Sequence, residues 1–250
     1  MRVDFETDVG AVRSSNQDSC DCGLFSPNSA WVIVCDGMGG ANGGNVASAI
    51  AVETIREQLL SGYNENLSKP NLKNLMINAI NRANEEVHRV SLERPELHGM
   101  GTTVVCGVCR GGMLQYAHVG DSRIYLFHGH SICQLTEDHS IVQELVEKGS
   151  ITAEEAAFHP RKNLITRALG VGPQVEIDFG EIVLSPGDIL VLCTDGLSNY
   201  VTVDEMEEII QNTAFYEMAD ALVDRALKAG GLDNVTVLLA KCDATEENNG

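Results

Sequence analysis

The sequence has little positive charge, no long apolar run and no secretion signal. Its 17 basic residues stand against 36 acidic ones, which gives a formal net charge of -19. A protein with this charge repels polyanions, so nucleic acid and anionic membrane surfaces are poor partners. The N-terminus lacks a basic region followed by an apolar stretch, and no apolar run reaches membrane-spanning length. We therefore expect a cytoplasmic protein that binds neither nucleic acid nor membrane.

The sequence also lacks a cysteine pattern for a metal site. Among its eight cysteines, Cys106 and Cys109 form one CxxC, and no second pair follows at zinc-ribbon spacing. Both lie in the strand-like segment TTVVCGVC, where residues three apart point to opposite faces. We interpret the cysteines as reduced thiols, several of them in the core, as in the apolar runs that contain Cys35 and Cys193.

No repeat or linker divides the chain, and 250 residues with 44% hydrophobic content suffice for one large core. We predict a single domain over residues 1–241 and a disordered tail over 242–250. Strand-like segments lie around residues 2–9, 18–24, 30–35, 101–109, 113–119, 122–127, 131–135, 174–184, 188–193 and 235–241. Helical periodicity covers residues 44–61, 71–94 and 215–229, and Thr202 and Glu205 stand at capping-box spacing.

The order of these elements predicts an α+β fold. Glycine-containing turns at 110–112 and 128–130 join neighbouring strands as hairpins, which indicates antiparallel sheets. Because the helices come in blocks between strands, we expect sheet packed on sheet with helices outside. Residues 137–165 hold short helical pieces, with Thr152 and Glu155 at capping-box spacing. This insertion is either a movable flap over a site or a surface excursion, and we favour the flap.

Four acidic side chains stand beside apolar runs. WVIVCDG ends in Asp36, AHVGD in Asp121 and ILVLCTDG in Asp195, while Asp233 opens DNVTVLLA. Asp-Gly alone is a common turn, and Asp36 taken singly favours that interpretation. The end of one antiparallel strand lies beside the start of its neighbour, so three of these carboxylates can converge. Buried carboxylates are costly unless a cation neutralises them, which predicts a metal site.

The chemistry of these ligands points to a hard cation. Oxygen ligands without a matching histidine and cysteine cluster select Mg²⁺ or Mn²⁺, and the Gly37 carbonyl is a further candidate ligand. Two such ions roughly 3.5–4 Å apart acidify a bridging water and present it to an electrophile, which suits phosphate ester hydrolysis. Arg13 is the best candidate to bind the phosphate, although alone it resembles a surface arginine. Asp18 either holds a metal-bound water or caps a turn.

The chain contains an ordered set of motifs: RSSNQD, VCDGMGG, MGTT, HVGDSRIY, LTEDHS, TRALG, CTDGLSN and GGLDNVTV. Their order and spacing resemble the protein phosphatase 2C family of metal-dependent serine/threonine phosphatases, most of all its short bacterial members. This resemblance implies a four-layer α/β/β/α sandwich, two antiparallel sheets flanked by helices, with a flap insertion. It also implies hydrolysis of phosphoserine and phosphothreonine by direct attack of a metal-bridging hydroxide.

The resemblance also assigns the metal ligands. It implies that Asp36 bridges two Mn²⁺ or Mg²⁺ ions, that Gly37 lends its carbonyl, and that Asp195 and Asp233 complete the protein ligands. It further implies that Asp121 binds a third, weaker ion together with Asp195. All of these residues lie within the quoted motifs.

Other positions carry roles around the metals. Arg13 matches the family's phosphate-binding arginine, and Asp18 matches its outer acid. Met38 departs from many eukaryotic members, which carry a histidine there as proposed general acid, so another group must protonate the leaving group. His159 occupies the place of a histidine that similar bacterial enzymes use near the substrate, or it only packs the flap. Asn234 either orients the ligand before it or forms a turn.

We expect phosphorylated proteins as substrates, a serine/threonine kinase as the opposing enzyme, and a monomeric state. A binding module that kept the fold and lost turnover is a second hypothesis, and the retained cluster of repelling charges argues against it. A two-metal nuclease is a third, which fits the carboxylates but not the acidic net charge.

Overall fold

The computed structural model describes residues 1–243, with the backbone alone described at 40–42. Most of the tail predicted over 242–250 lies outside the described residues. Its first two residues are held by the rest of the chain. The Cys242 amide donates to the Asp188 carbonyl at 2.9 Å, and Arg2 pairs with Asp243 at 2.7 Å.

The described residues form eleven strands and seven α-helices. The strands are β1 (Arg2–Asp8), β2 (Asp18–Ser26), β3 (Ser29–Met38), β4 (Gly101–Thr102), β5 (Val104–Arg110), β6 (Met113–Val119), β7 (Arg123–His128), β8 (Ser131–Gln134), β9 (Asp178–Val183), β10 (Ile189–Cys193) and β11 (Val235–Lys241). The helices are α1 (Gly40–Gly62), α2 (Lys69–Glu93), α3 (Ile141–Glu147), α4 (Ala153–Ala157), α5 (Asp195–Ser198), α6 (Val203–Asn212) and α7 (Phe215–Lys228). Within the part of the chain that is described, no helix combines the length and the apolar character needed to cross a membrane.

Two antiparallel sheets form the centre of the molecule. The first sheet has the strand order β1-β11-β10-β7-β8, and the second has the order β2-β3-β5-β6-β9, with β4 paired to β3. β5 and β6 form a hairpin whose turn residues Gly111 and Gly112 have φ angles of 58° and 70°, which glycine adopts readily. β7 and β8 pair in the same way. The predicted hairpins at 110–112 and 128–130 are therefore confirmed.

Alternation along the strands distributes the apolar side chains among three layers. On β3, Ile33 and Cys35 pack with α1 and α2, whereas Val32 and Val34 pack between the two sheets. On the other side, the first sheet packs with α6 and α7 in a third cluster. Helices thus cover the outer face of each sheet, and the predicted four-layer α/β/β/α sandwich is confirmed.

The ends of some elements differ from the prediction. The segment predicted as one strand over 101–109 is divided at Thr103 into β4 and β5, although the Thr103 amide still donates to the carbonyl of Asp36 on β3. The segment predicted over 174–184 is strand only in β9. Both predicted capping boxes form, at Thr152 before α4 and at Thr202 before α6.

Candidate metal centre

The layer between the sheets changes from apolar to acidic at one end. Apolar side chains fill it as far as Val34 on β3. Because side chains alternate, the next inward position on this strand is Asp36. Asp18 of β2 pairs directly with Asp36, and its Oδ2 accepts hydrogen bonds from Thr194 at 2.9 Å and from Thr236 at 2.7 Å. Two neighbouring carboxylates are thus built into the end of the interior.

Two threonines fix the backbone of Asp36. Thr102 Oγ1 and the Thr103 amide each donate to the Asp36 carbonyl at 2.8 Å, and the Asp36 amide donates to Thr103 Oγ1 at 2.9 Å. Thr103 Oγ1 also bonds Ser122 Oγ at 2.7 Å, next to Asp121. The MGTT motif carried no role in the sequence, and these bonds show that it positions two of the predicted acids.

Gly37 follows Asp36 and has no space for a side chain. A Cβ there would lie 2.1 Å from the Gly44 carbonyl oxygen and 2.5 Å from that of Gln17. The Gly37 amide donates to the same Gln17 carbonyl at 3.1 Å. The close approach of three backbone segments therefore requires glycine at this position.

Asp195 and Asp233 reach the same place from the first sheet. Asp195 is the first residue of α5, directly after β10. Asp233 precedes β11, and its Oδ2 accepts from Arg13 at 2.8 Å. The two segments are in contact, since a Cβ on Gly196 would lie 1.8 Å from the Asn234 carbonyl oxygen. The predicted convergence of strand ends is thus present.

These side chains line one cavity of about 490 Å³. The predicted site residues in its lining are Arg13, Asp36, Gly37, Asp121, Asp195, Asp233 and Asn234. Asp18 is buried beside Asp36. Of the described residues of the segment 137–165, Asn163 and Ile165 line the cavity and His159 does not. His159 Nδ1 instead accepts from the Arg161 amide at 3.2 Å.

Burial and mutual repulsion raise the pKa values of the carboxyl groups. Burial, followed by the charges of Asp18 and Asp195, raises the pKa of Asp36 well above its ordinary value. Burial is the largest cause for Asp18 and for Asp121 as well, and raises each pKa to about 7. For Asp195, burial and the charge of Asp233 raise the pKa to about 6. A cation in this cavity would relieve both the cost of burying these charges and their mutual repulsion.

One buried oxygen in the site has no hydrogen-bond partner in the described part of the chain. It is Oδ1 of Asp18. Buried polar atoms are nearly always partnered, so this oxygen indicates room for a water or an ion. Together with the carboxylates and the Gly37 carbonyl it makes an all-oxygen donor set, which fits a hydrated magnesium or manganese ion.

The carboxylate oxygens lie farther apart than a single ion requires. Among residues 1–243, no three acids of the cavity bring oxygens within 4.8 Å of one another. Two of these acids have donors of their own: Arg13 holds Asp233, and Asn199 Nδ2 donates to Asp195 Oδ2 at 3.0 Å. Three of the acids can share one ion only if their oxygens move closer together.

Asn234 makes contacts that the sequence did not reveal. Its Oδ1 accepts from the Gln17 amide at 2.8 Å, and its Nδ2 donates to the carbonyls of Val9 at 2.9 Å and Ser15 at 3.0 Å. One side chain thus holds both ends of the loop that carries Arg13. The Asn234 backbone amide also donates to Asp233 Oδ1 at 2.8 Å, so the residue contacts the predicted ligand before it as well.

Comparison with known proteins agrees with this geometry. The chain matches the model of the protein phosphatase 2C family over residues 11–234. It is 40% identical to the serine/threonine phosphatase stp of Listeria monocytogenes serotype 4b, over 99% of this chain and 98% of that protein. The Mycobacterium tuberculosis serine/threonine phosphatase PstP/Ppp is similar in structure, with a TM-score of 0.89 at 35% identity over 97% of this chain and 99% of the other. The catalytic domain of PstP in complex with two manganese ions gives a TM-score of 0.85 at 34% identity, over 97% and 98% of the two chains. The chain therefore belongs to the protein phosphatase 2C family and is a protein phosphatase.

Proposed function

We propose that the protein hydrolyses phosphoserine and phosphothreonine in phosphorylated proteins, with two bound Mn²⁺ or Mg²⁺ ions. The observation that carries this proposal is a cavity whose lining contains four aspartates and the Arg13 guanidinium. Clustered carboxylates suit divalent cations, and a guanidinium suits a phosphate. The Listeria relative is a serine/threonine phosphatase, which supports the proposed substrates. The PstP catalytic domain is in complex with two manganese ions, which supports the proposed metals.

The ligands we assign to the two ions are Asp36, the Gly37 carbonyl, Asp195 and Asp233. All of them line the cavity. Asp121 lines it too, and we assign Asp121 with Asp195 to a third, weaker ion. Support for these assignments comes from the all-oxygen donor set and from the cost of burying the acids without a cation.

The remaining residues orient the reactants. When bound, the ions polarise the phosphoryl oxygens and acidify a water molecule that attacks phosphorus directly. Arg13 binds the outer phosphate oxygens and fixes the direction of the phosphorus. Asp18 Oδ1 is free to accept a hydrogen bond from water in the cavity. Met38, which lines the cavity, has no proton to donate, so water or another group protonates the leaving oxygen.

A cysteine nucleophile plays no part in this mechanism. Burial raises the pKa of Cys193 to about 12 and raises that of Cys35 well above its usual value. Both side chains pack in apolar clusters and remain neutral thiols at physiological pH. Direct attack by water therefore needs no covalent phosphoenzyme.

We further propose that residues 1–241 form one phosphatase domain, with 137–165 as a flap over the cavity. Its contribution of Asn163 and Ile165 to the lining supports this role. We propose that His159 reaches the substrate when the flap closes, so that His159→Ala raises KM for a phosphopeptide at unchanged metal affinity.

The eight unpaired cysteines suit a reducing compartment, and we propose a cytoplasmic monomer that opposes a serine/threonine kinase.

Phosphate release from phosphoserine and phosphothreonine peptides tests the main proposal. We expect turnover with Mn²⁺, none after chelation, and a loss of at least about a thousandfold in Asp195→Ala. The matched control is Asp204→Ala, an exposed acid in the first turn of α6, which keeps full turnover. Turnover that survives chelation contradicts the mechanism.

Two other outcomes identify the alternative functions. Cation binding without hydrolysis of any phosphopeptide would indicate a binding module. Metal-dependent cleavage of DNA would indicate a nuclease, and the net charge of -19 argues against that result.

A further inference from the structure

Gly120, which precedes Asp121, is held by one buried histidine that does not line the cavity. The Gly120 amide donates to His139 Nδ1 at 3.1 Å, and the His139 amide donates to the Gly120 carbonyl at 3.0 Å. Gly120 has a φ of 105°, and a Cβ there would lie 2.6 Å from the Thr103 side chain. The position of Asp121 therefore depends on a tight glycine whose two polar groups both bond His139.

These bonds determine which nitrogen of His139 carries the proton. Because Nδ1 accepts from the Gly120 amide, the neutral ring carries its proton on Nε2. That nitrogen lies 3.4 Å from Asp178 Oδ2 and 3.2 Å from Arg167 Nη1, which also donates to Asp178 Oδ1 at 2.8 Å. The ring thus lies between the backbone of Gly120 on one side and the Arg167–Asp178 ion pair on the other.

A metal site is the obvious alternative for this cluster. His118, His139 and Asp178 each offer a ligand atom within 4.8 Å of the others, and His118 Nδ1 is buried without a partner in the described chain. The single lone pair of neutral His139 is already used by the Gly120 amide, however, and Arg167 occupies Asp178. The cluster therefore suits the positioning of backbone better than the ligation of an ion.

His139 lies near the start of the flap and also contacts the residues at its end. The Thr166 amide donates to the His139 carbonyl at 2.8 Å, and Ser140 forms a β-bridge with Ile165, which lines the cavity. His139 thus lies between the loop of Asp121 and the wall of the cavity that the flap contributes.

We propose that His139 is a positioning residue whose Nδ1 holds the Gly120 peptide and so places Asp121 for the third, weaker cation. This inference rests on the proposed function, because it takes Asp121 as a ligand of that ion. His139 does not touch the reacting atoms, and its effect on Asp121 is transmitted through the backbone of Gly120.

Two amide substitutions separate the two nitrogens of His139. In His139→Asn the side-chain amide reaches the place of Nδ1 and can accept from Gly120. In His139→Gln it reaches the place of Nε2, where it can bond Asp178 or Arg167 but not Gly120. Calorimetric titration of the protein with Mn²⁺ alone measures the weak site. We expect His139→Gln to weaken it by at least about tenfold and His139→Asn by no more than about threefold, with the tight sites unchanged in both.

Asp121→Asn distinguishes failure of this inference from failure of the proposed function. If Asp121→Asn leaves the weak site intact, the assignment of Asp121 under the proposed function is wrong. If Asp121→Asn removes the site while His139→Gln leaves it unchanged, or if both His139 variants weaken it equally, the positioning role is overturned.

A measurement on the unaltered protein covers the case in which a variant fails to fold. Long-range proton–nitrogen NMR spectra report the tautomer of each histidine, and we expect His139 to carry its proton on Nε2 with slow exchange of the Gly120 amide. A proton on Nδ1 would overturn the proposal.

Discussion

The layer between the two sheets has an apolar middle and an acidic end, and the same strands build both. Val34 and Leu192 are fully buried in the middle. Two positions further along each strand stand Asp36 and Thr194, on the same inward face. The middle stabilises the fold because it removes apolar surface from water, whereas the end confines carboxylates that repel one another. The comparison teaches that stability and reactivity are divided along single strands, at a distance of two residues.

Asp36→Asn should show the largest effect, because it removes charge from the acidic end without changing its shape. We expect phosphatase turnover to fall by at least about a thousandfold, which corresponds to about 4 kcal/mol of transition-state stabilisation. The metal-free variant should at the same time resist urea better than the unaltered protein, since one repelling buried acid is gone. If Asp36→Asn lowered both turnover and the resistance of the metal-free protein to urea, the contrast between the apolar middle and the acidic end would be wrong.

Leu192→Ala tests the apolar middle. The side chain is fully buried between the sheets, so its truncation should lower the free energy of unfolding by about 2–5 kcal/mol in urea denaturation. Metal affinity should stay within about twofold of the original. Val183→Ala is the control, because Val183 is 71% exposed and its truncation should change stability by no more than about 0.5 kcal/mol.

The acidic end should make the metal-free protein less stable as pH rises. The pKa values of Asp18 and Asp121 are raised from 3.8 to about 7, and that of Asp195 to about 6, so between pH 4 and 7 the folded state binds more protons than the unfolded state. Stability must therefore fall through this window by several kcal/mol in total, because each pKa unit corresponds to about 1.4 kcal/mol.

Urea midpoints at pH 5 and pH 7.5 measure this loss. Saturating Mn²⁺ at pH 7.5 should restore the stability, because the cation binds only the folded state. Stability that increases between pH 5 and 7.5 without metal would contradict the raised pKa values.

Asn234→Ala should have the smallest effect of the four. It removes the three hydrogen bonds that hold the loop of Arg13, so we expect kcat/KM for a phosphopeptide to fall about tenfold, mainly through KM. Asn212→Ala, an exposed asparagine at the end of α6, is the matched control and should leave kcat/KM unchanged. A tenfold loss in kcat alone would point to a role in chemistry rather than in phosphate binding.

Much of the fold could be predicted because its signals are local. The apolar run of WVIVCDG located β3 with Asp36 near its end, and the glycine turns located the two hairpins. Cys106 and Cys109 pack in different layers, as strand alternation required. The ordered motifs predicted the protein phosphatase 2C family, and this prediction is confirmed.

The hydrogen bonds that position the site residues could not be predicted, because they join residues far apart in the chain. The Asn234 amide reaches Gln17 across 217 positions, and Thr103 reaches Asp36 across 67. No pattern within a window of sequence records such a bond. His159 shows a second limit of prediction from the sequence. Its position matches that of a histidine in similar enzymes, but this match does not establish that the side chain faces the cavity.

The pairing of β1 with β11 determines when the protein can first act. Asp8 lies opposite Val235 in this pair, so the loop with Arg13 and the turn with Asp233 come together only through the first and last strands. A ribosome must release nearly the whole polypeptide before the centre can assemble. A nascent chain that lacks β11 should therefore carry no phosphatase activity, and proteolytic removal of β11 should silence the enzyme because it also separates β1 from β10.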